Sequence, residues 1–175
     1  MKKAFLLFVA SLMMVVGAKA EEGTDLVATL NHEGKMLAYY GQGALKSAHA
    51  AASDGDVITL SAGTFNSVDI TKNITIRGVG MISDGKTDNR RTCISGGFTM
   101  TLPKNSHEFT LEGVYCEGMA AYAVPPTAKS ATTNAYANAS FVKCIFHSGL
   151  TLEDVYGKLV DCYFENGYTY LNGNY

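Results

Sequence analysis

Basic runs, long apolar runs, paired cysteines and helical periodicity are all scarce in this chain, and each shortage removes a class of protein. The 175 residues carry 14 basic and 16 acidic side chains for a net charge of −2, and no cluster of Lys and Arg runs along them. A surface of that kind has nothing with which to track phosphates, which excludes nucleic acid as a partner. After residue 17 no apolar run reaches membrane length, so no span is expected once the leader is removed. Cys93, Cys116, Cys144 and Cys162 lack C-x-x-C spacing, which argues against a zinc ribbon or a dithiol redox centre. Beyond Val57 no helix-period segment of useful length separates the short strands. A doubly wound α/β fold needs crossover helices there, so it is excluded.

What is present begins with an export signal. Lys2 and Lys3 form a charged start, Ala4 to Gly17 is an apolar stretch, and Ala18-Lys19-Ala20 supplies small residues at the cleavage positions. No cysteine follows closely, so a lipoprotein anchor is not expected. Residues 1–20 are therefore set apart as leader, residues 21–56 as an N-terminal hairpin and capping helix, and residues 57–175 as the main body. An exported chain is periplasmic, cell-surface or extracellular, where disulfides persist. Four cysteines allow three full pairings, and spacing does not choose among them.

Asp25 to Tyr40, "DLVATLNHEGKMLAYY", reads as two strands around a turn at Asn31 to Gly34. His32 lies in that turn, and no second histidine or paired carboxylate is near it in sequence. Ala44, Leu45, Ala48, Ala51 and Ala52 then mark one narrow face of a helix from about Gly43 to Ser53. Alanine on that face lets the helix axis approach a neighbouring surface closely. Asp54-Gly55-Asp56 turns the chain out of it.

From Val57 the chain reads "VITL", "SVDI", "NITIRGVG", "GGFTMTL", "FTLEGVYCEG", "SFVKCIF" and "KLVDCYFENG", short strands punctuated by Gly, Asn and Asp. A repeat emerges when Ile76, Leu111, Val142 and Val160 are superposed, at spacings of 35, 31 and 18 residues. By strand alternation these four point inward, followed by a small inward column of Gly78, Gly113, Cys144 and Cys162 and an aromatic column of Tyr115, Phe146 and Phe164. The outward column between them, Arg77, Glu112, Lys143 and Asp161, alternates in sign, which suits strands stacked one spacing apart. Cysteine in the small column behaves as a compact hydrophobe. Cys144 and Cys162 are expected as buried free thiols, because side chains of in-register strands run parallel, poor geometry for a disulfide.

Short coils, inward aliphatic columns and no interspersed helices indicate an all-β fold, a parallel β-solenoid with a short N-terminal capping helix. The stretch "ALKSAHAAASDGDVITLSAGTFNSVDITKNITIRGVGM", Ala44 to Met81, resembles the N-terminal opening of right-handed parallel β-helix proteins of the pectin lyase-like superfamily. It is also similar to the opening of exported β-helix proteins of gut Bacteroidetes. The resemblance implies that the alanine helix covers the apolar end of the first coil. The C-terminal "ENGYTYLNGNY" offers no matching cap, so further coils or edge-to-edge assembly are expected at that end.

Enzymes of that superfamily, as the resemblance implies, use calcium-held carboxylates with an arginine base, or clustered aspartates. Such sites need several oxygens converging on one ion, or two carboxylates flanking a bond. The nearest arrangement is "SDGKTDNRRTC", where Asp84 and Asp88 are the candidate cation ligands and Arg90 and Arg91 would meet an acidic sugar. Its other reading is a solvated loop. No catalytic residue is assigned, since the lyase and hydrolase signatures are not recognisable, and calcium is the one cofactor with a candidate site. Asp161 and Glu165 share a strand face, and His147 aligns with Glu165, a pairing suited to proton transfer or to an outward polar strip. "AAYAVPPTAKSATTNAYANAS", Ala120 to Ser140, reads as a bulging loop whose Tyr122 and Tyr136 could stack on sugar rings. Asn73-Ile74-Thr75 and Asn138-Ala139-Ser140 match a glycosylation pattern, but the leader is bacterial in type and neither is taken as modified. The function expected is an exported non-catalytic β-helix module, either binding polysaccharide or surface glycan or adhesive at the cell surface. The alternative is the front portion of a polysaccharide lyase or glycoside hydrolase.

Overall fold

The computed structural model describes residues 26–80, 91–103, 106–123, 137–166 and 169–172, with backbone alone for Phe98, 120–123 and 169–172. Strand dominates: sixteen strands and one eight-residue helix occur among the described residues. The leader, together with Asp84, Asp88, Arg90 and Tyr136, lies outside them.

β1 (Val27–His32) and β2 (Lys35–Tyr40) form the hairpin, closed by Glu33 and Gly34, both at positive φ (49° and 75°), the conformation a two-residue turn demands. The helix α1 (Ala44–Ala51) follows, and β1 then pairs antiparallel with β3 (Val57–Leu60). Helix α1 buries Ala44, Leu45, Ala48 and His49, with Ala52 just beyond it; Ala51, expected on the buried face, is exposed. His49 takes its place because the Thr71 N–H donates to its Nε2 at 3.2 Å, which satisfies the ring inside the structure. Lys72 closes the helix end, its Nζ donating to the carbonyls of His49, Ala50 and Ala52 at 2.7, 3.1 and 2.6 Å. Carbonyls in the last turn are left short of helical partners, the His49 one receiving a 3.3 Å bond from the Ala52 N–H, and a cation there also opposes the helix dipole.

After β3 every strand pairing is parallel. The chain runs through β4 (Gly63–Asn66), β5 (Thr75–Arg77), β6 (Thr92–Ser95), β7 (Phe98–Leu102), β8 (Phe109–Glu112), β9 (Val114–Cys116) and β10 (Met119–Ala123). It continues with β11 (Ala137–Val142), β12 (Ile145–Phe146), β13 (Leu150–Glu153), β14 (Val155–Val160), β15 (Tyr163–Phe164) and β16 (Thr169–Asn172). Three sheets result, ordered β14-β11-β8-β5-β3-β1-β2, β15-β12-β9-β6-β4 and β16-β13-β10-β7. From β6 the chain visits the second, third and first sheets in unvarying rotation. An isolated parallel bridge, Ile70 to Met100, extends the third sheet beyond β7. Ser67 to Asp69, expected in a strand, form none; the strand is displaced to Gly63–Asn66.

The interior is lined by Leu30, Ile58, Ile76, Leu111, Phe109, Phe141 and Phe146, all fully buried. Phe141 packs between Phe109 and Phe146, with ring centroids 6.3 and 5.7 Å away, and Phe146 stacks on Phe164 at 5.3 Å. The repeat holds, with one slip in its register. Ile76 faces Leu111 and Val142 faces Val160 as expected, but Leu111 faces Phe141, while Val142 faces Glu112. Phe141 therefore points inward and Val142 outward, half-buried.

The cause lies at the corners. Gly113, Lys143 and Asp161 take left-handed φ of 67°, 51° and 52° between the first and second sheets. A left-handed residue resets the alternation, so Val114, Cys144 and Cys162 point inward next, and Lys143 and Asp161 leave the outward ladder that Arg77 and Glu112 occupy. Only the Arg77–Glu112 pair of that proposed series forms an ion pair, at 3.1 Å between exposed side chains, among the described residues. The same reset turns Tyr115 outward and puts Cys116 beneath Phe146. Gly78, at the first of these corners, has no room for a side chain, because a Cβ there would collide with the Gly113 carbonyl and lie 2.7 Å from Thr92 Cβ.

Candidate functional site

The second sheet's outer face collects the side chains with most chemistry. Register places Cys93, Tyr115, Ile145 and Tyr163 in one outward column, each a strand spacing from the next. Tyr163 is 58% exposed, an aromatic face open to solvent. Arg91, one residue before β6, lays its guanidinium 3.9 Å from the Tyr115 ring centroid, a cation–π contact. Of the four residues nominated from sequence as sugar or cation contacts in the 83–93 segment, Arg91 alone is described, and it joins this face.

One residue past β9, β12 and β15 the column continues as Glu117, His147 and Glu165. The His147 N–H donates to the Cys116 carbonyl and the Glu165 N–H to the Phe146 carbonyl, at 2.9 and 3.1 Å, which fixes their alignment. His147 Nδ1 lies 2.8 Å from Glu165 Oε2, the Tyr115 hydroxyl donates to the same oxygen at 3.1 Å, and the Asn166 amide nitrogen stands 3.4 Å from His147 Nε2. The expected alignment of His147 with Glu165 is thus a contact. Asp161 is separated from it by the corner and carries a left-handed backbone instead.

The electrostatics follow from these contacts. The hydrogen bond from His147 holds the Glu165 carboxyl below its ordinary range, with the Tyr115 hydroxyl adding to the effect. Desolvation, then the bond to Glu165, raises the Tyr115 phenol, so it remains a neutral donor at physiological pH. The result is a solvent-facing patch with an arginine, two carboxylates, an imidazole and two tyrosines carried by the strands and the residues next to them. It can grip a ligand by stacking and by directed hydrogen bonds; Glu165 is held by His147 and Tyr115, while Glu117 accepts the Gly96 N–H at 2.8 Å.

Elsewhere the expectations are redistributed. Tyr122 lies within β10, opposite Thr101 and Glu153, and not in a loop, because its segment continues the third sheet. Of the segment 120–140, residues 124–136 lie outside the described ones. His32 has a carboxylate neighbour after all: Asp56, distant in sequence, brings Oδ2 to 2.7 Å from Nδ1 while accepting the Ser53 N–H at 2.6 Å. Asp54 accepts the Asn73 N–H at 2.8 Å, so this turn also ties α1 to the segment leading into β5. Asn73 is fully buried and inaccessible to a glycosyl donor. The first sheet's outer face has a shallow depression of about 300 Å³ lined by Ser106, Glu108, Asn138, Tyr156, Gly157 and Lys158.

No group of three or more His, Cys, Asp or Glu side chains able to hold a metal occurs among the described residues. No helix among them is long and apolar enough to cross a membrane. No protein-family model, curated protein or solved structure matches the chain.

The sequence nominated Tyr122 and Tyr136 for stacking and overlooked Tyr115 and Tyr163. The missed signal was Gly113: a glycine inside an alternating run marks a corner, and the parity change it brings sends Tyr115 outward.

Proposed function

We propose that the chain is an exported right-handed parallel β-helix whose second sheet binds a glycan by its outer face, without catalysing a reaction, at or beyond the cell surface. The helical winding is supported by the fixed rotation of the chain through three parallel sheets, and its hand by the strong preference of parallel crossover connections for right-handedness. Export rests on the leader at residues 1–20. The observation that carries the binding is the outward column of Tyr115, Ile145 and Tyr163 flanked by Arg91 and the His147–Glu165 pair. An aromatic ring offers a flat apolar face to a sugar, and polar groups beside it fix orientation. Among the described residues β14, β15 and β16 each pair on one side only, and edge-to-edge assembly would use the other.

A second reading, the front portion of a polysaccharide lyase or glycoside hydrolase, draws on the His147–Glu165 contact, a base and an acid within proton-transfer distance. Retention on an immobilised glycan array separates the two. Binding by the wild type that falls tenfold or more in Tyr163→Ala, with unchanged circular dichroism and no cleaved product, is the expected result. A wild type that ignores every glycan overturns the binding reading; product release abolished by Glu165→Gln replaces it with the enzyme.

A further inference from the structure

We propose that Cys144 and Cys162 are a redox-responsive pair that a small disulfide converts into a reversible cross-link between the last two coils. The inference rests on register and thiol placement, independent of what the outer face binds.

Cys144 lies between β11 and β12, Cys162 between β14 and β15, each one residue past a left-handed corner, Lys143 or Asp161. Two backbone bonds bracket them: the Lys143 N–H donates to the Val160 carbonyl at 2.8 Å and the Tyr163 N–H to the Cys144 carbonyl at 2.9 Å. The corners are therefore one strand spacing apart, about 4.8 Å. That falls inside the Cα separation of roughly 4.4–6.8 Å that disulfides span. The thiols also point alike. Cys144 Sγ donates to the Leu111 and Val142 carbonyls, both at 3.4 Å, and Cys162 Sγ makes the equivalent bonds to Phe141 and Val160 at 3.3 and 3.5 Å.

Side chains running parallel inside a strand ladder are too far apart at Cβ for a disulfide, which is why free thiols were expected, and all four cysteines are free. A corner is less constrained. Closing the bond requires the Cβ atoms to approach by roughly 1 Å, to about 3.8 Å. Neither cysteine belongs to a strand, and Cys162, inward-pointing but only half-buried, precedes the last described strand of its sheet. The contraction strains both corners, so the cross-link is readily reduced, unlike a structural disulfide.

Geometry assigns the order of events. Cys162, half-buried, is the thiol that solvent reaches, whereas Cys144 is fully buried and stays protonated until its neighbour has reacted. The Cys162 thiolate attacks one sulfur of a small disulfide RSSR, giving a mixed disulfide and expelling one RS⁻, which takes up the proton Cys162 released. Cys144 then loses its proton, attacks Cys162 Sγ and expels the second RS⁻, which is protonated in turn. One RSSR is reduced to two RSH as two protein thiols are oxidised to one disulfide.

The test uses the full chain, reduced and then equilibrated with glutathione disulfide, followed by alkylation in denaturant and mass spectrometry. Alkylated cysteines should fall from four to two, the cross-linked peptide should contain Cys144 and Cys162, and mild dithiothreitol should restore all four. The Cys93→Ser/Cys116→Ser double variant should form the same link, and Cys162→Ser, with its circular dichroism unchanged, should not. Persistence of four alkylated cysteines, a mixed disulfide that stops at Cys162, or a link to Cys93 or Cys116 would overturn the proposal.

Discussion

Replacing Phe141 and, separately, its neighbour Val142 with alanine gives opposite outcomes in the two registers open to this sequence. Phe141 is fully buried and touches Phe109 and Phe146 edge-on or tilted, 6.3 and 5.7 Å between centroids. Truncating a buried Phe costs about 3–5 kcal/mol. Its two aromatic partners, each worth about 0.5–1.5 kcal/mol beyond area, place it toward the upper end. Against a total stability of about 5–15 kcal/mol, that is a third or more. Val142 points outward and is half-buried, so Val142→Ala removes two methyl-sized groups at half their buried worth, about 0.8 kcal/mol. Urea unfolding followed by circular dichroism reads the difference. With a slope of about 2 kcal/mol per molar, Phe141→Ala should lower the midpoint by about 2 M and Val142→Ala by about 0.4 M. Equal shifts, or a larger one at Val142, would return Val142 to the interior and refute the corner argument.

Two other outcomes follow from packing and protonation. His49 in the folded chain accepts from Thr71 and has its pKa lowered, chiefly by burial and then by the Lys72 charge, so the unfolded chain binds the extra proton first. Stability from this group is complete above about pH 6.5 and is lost as pH falls from there through the lowered native value. A pH series of melting temperatures should drop across that window in the wild type and less in His49→Gln, and parallel curves would contradict it. Gly78→Ala should destabilise by about 1–3 kcal/mol because its Cβ meets backbone that cannot yield, while Gly97→Ala, whose nearest contact is an ordinary 3.7 Å, should stay within about 0.5 kcal/mol. Similar melting temperatures for the two variants would remove the close approach at that corner.

Much of the architecture was legible because it is periodic. The hairpin announced itself through Asn31 to Gly34, although Asn31 and His32 belong to the strand and the turn is Glu33-Gly34; the helix did so through alanines at helical spacing, and the parallel stacking through aliphatic positions such as Ile76 and Leu111, which indeed face one another. What escaped was parity across corners. Lys143 and Asp161 hold left-handed φ without being glycine, so nothing in their identity marks a break in alternation. A one-residue slip exchanges inside for outside, and it placed Tyr115 in the interior and Val142 with it. The contacts of His32 with Asp56 and of Arg91 with Tyr115 join residues 24 apart in each case, and the first depends on β1 lying antiparallel beside β3. Neither is visible in local spacing. His49 escaped for a similar reason, since its partner Thr71 arrives from the segment between β4 and β5.

Parallel strands stacked in this register are what everything else stands on, and cross-strand nuclear Overhauser contacts between β11 and β14 test them most directly. The account predicts contacts joining Ala137 to Val155 and Val142 to Val160, progressing in the same direction along both strands. Contacts joining Ala137 to Val160 and Val142 to Val155 would mean antiparallel strands and would contradict it.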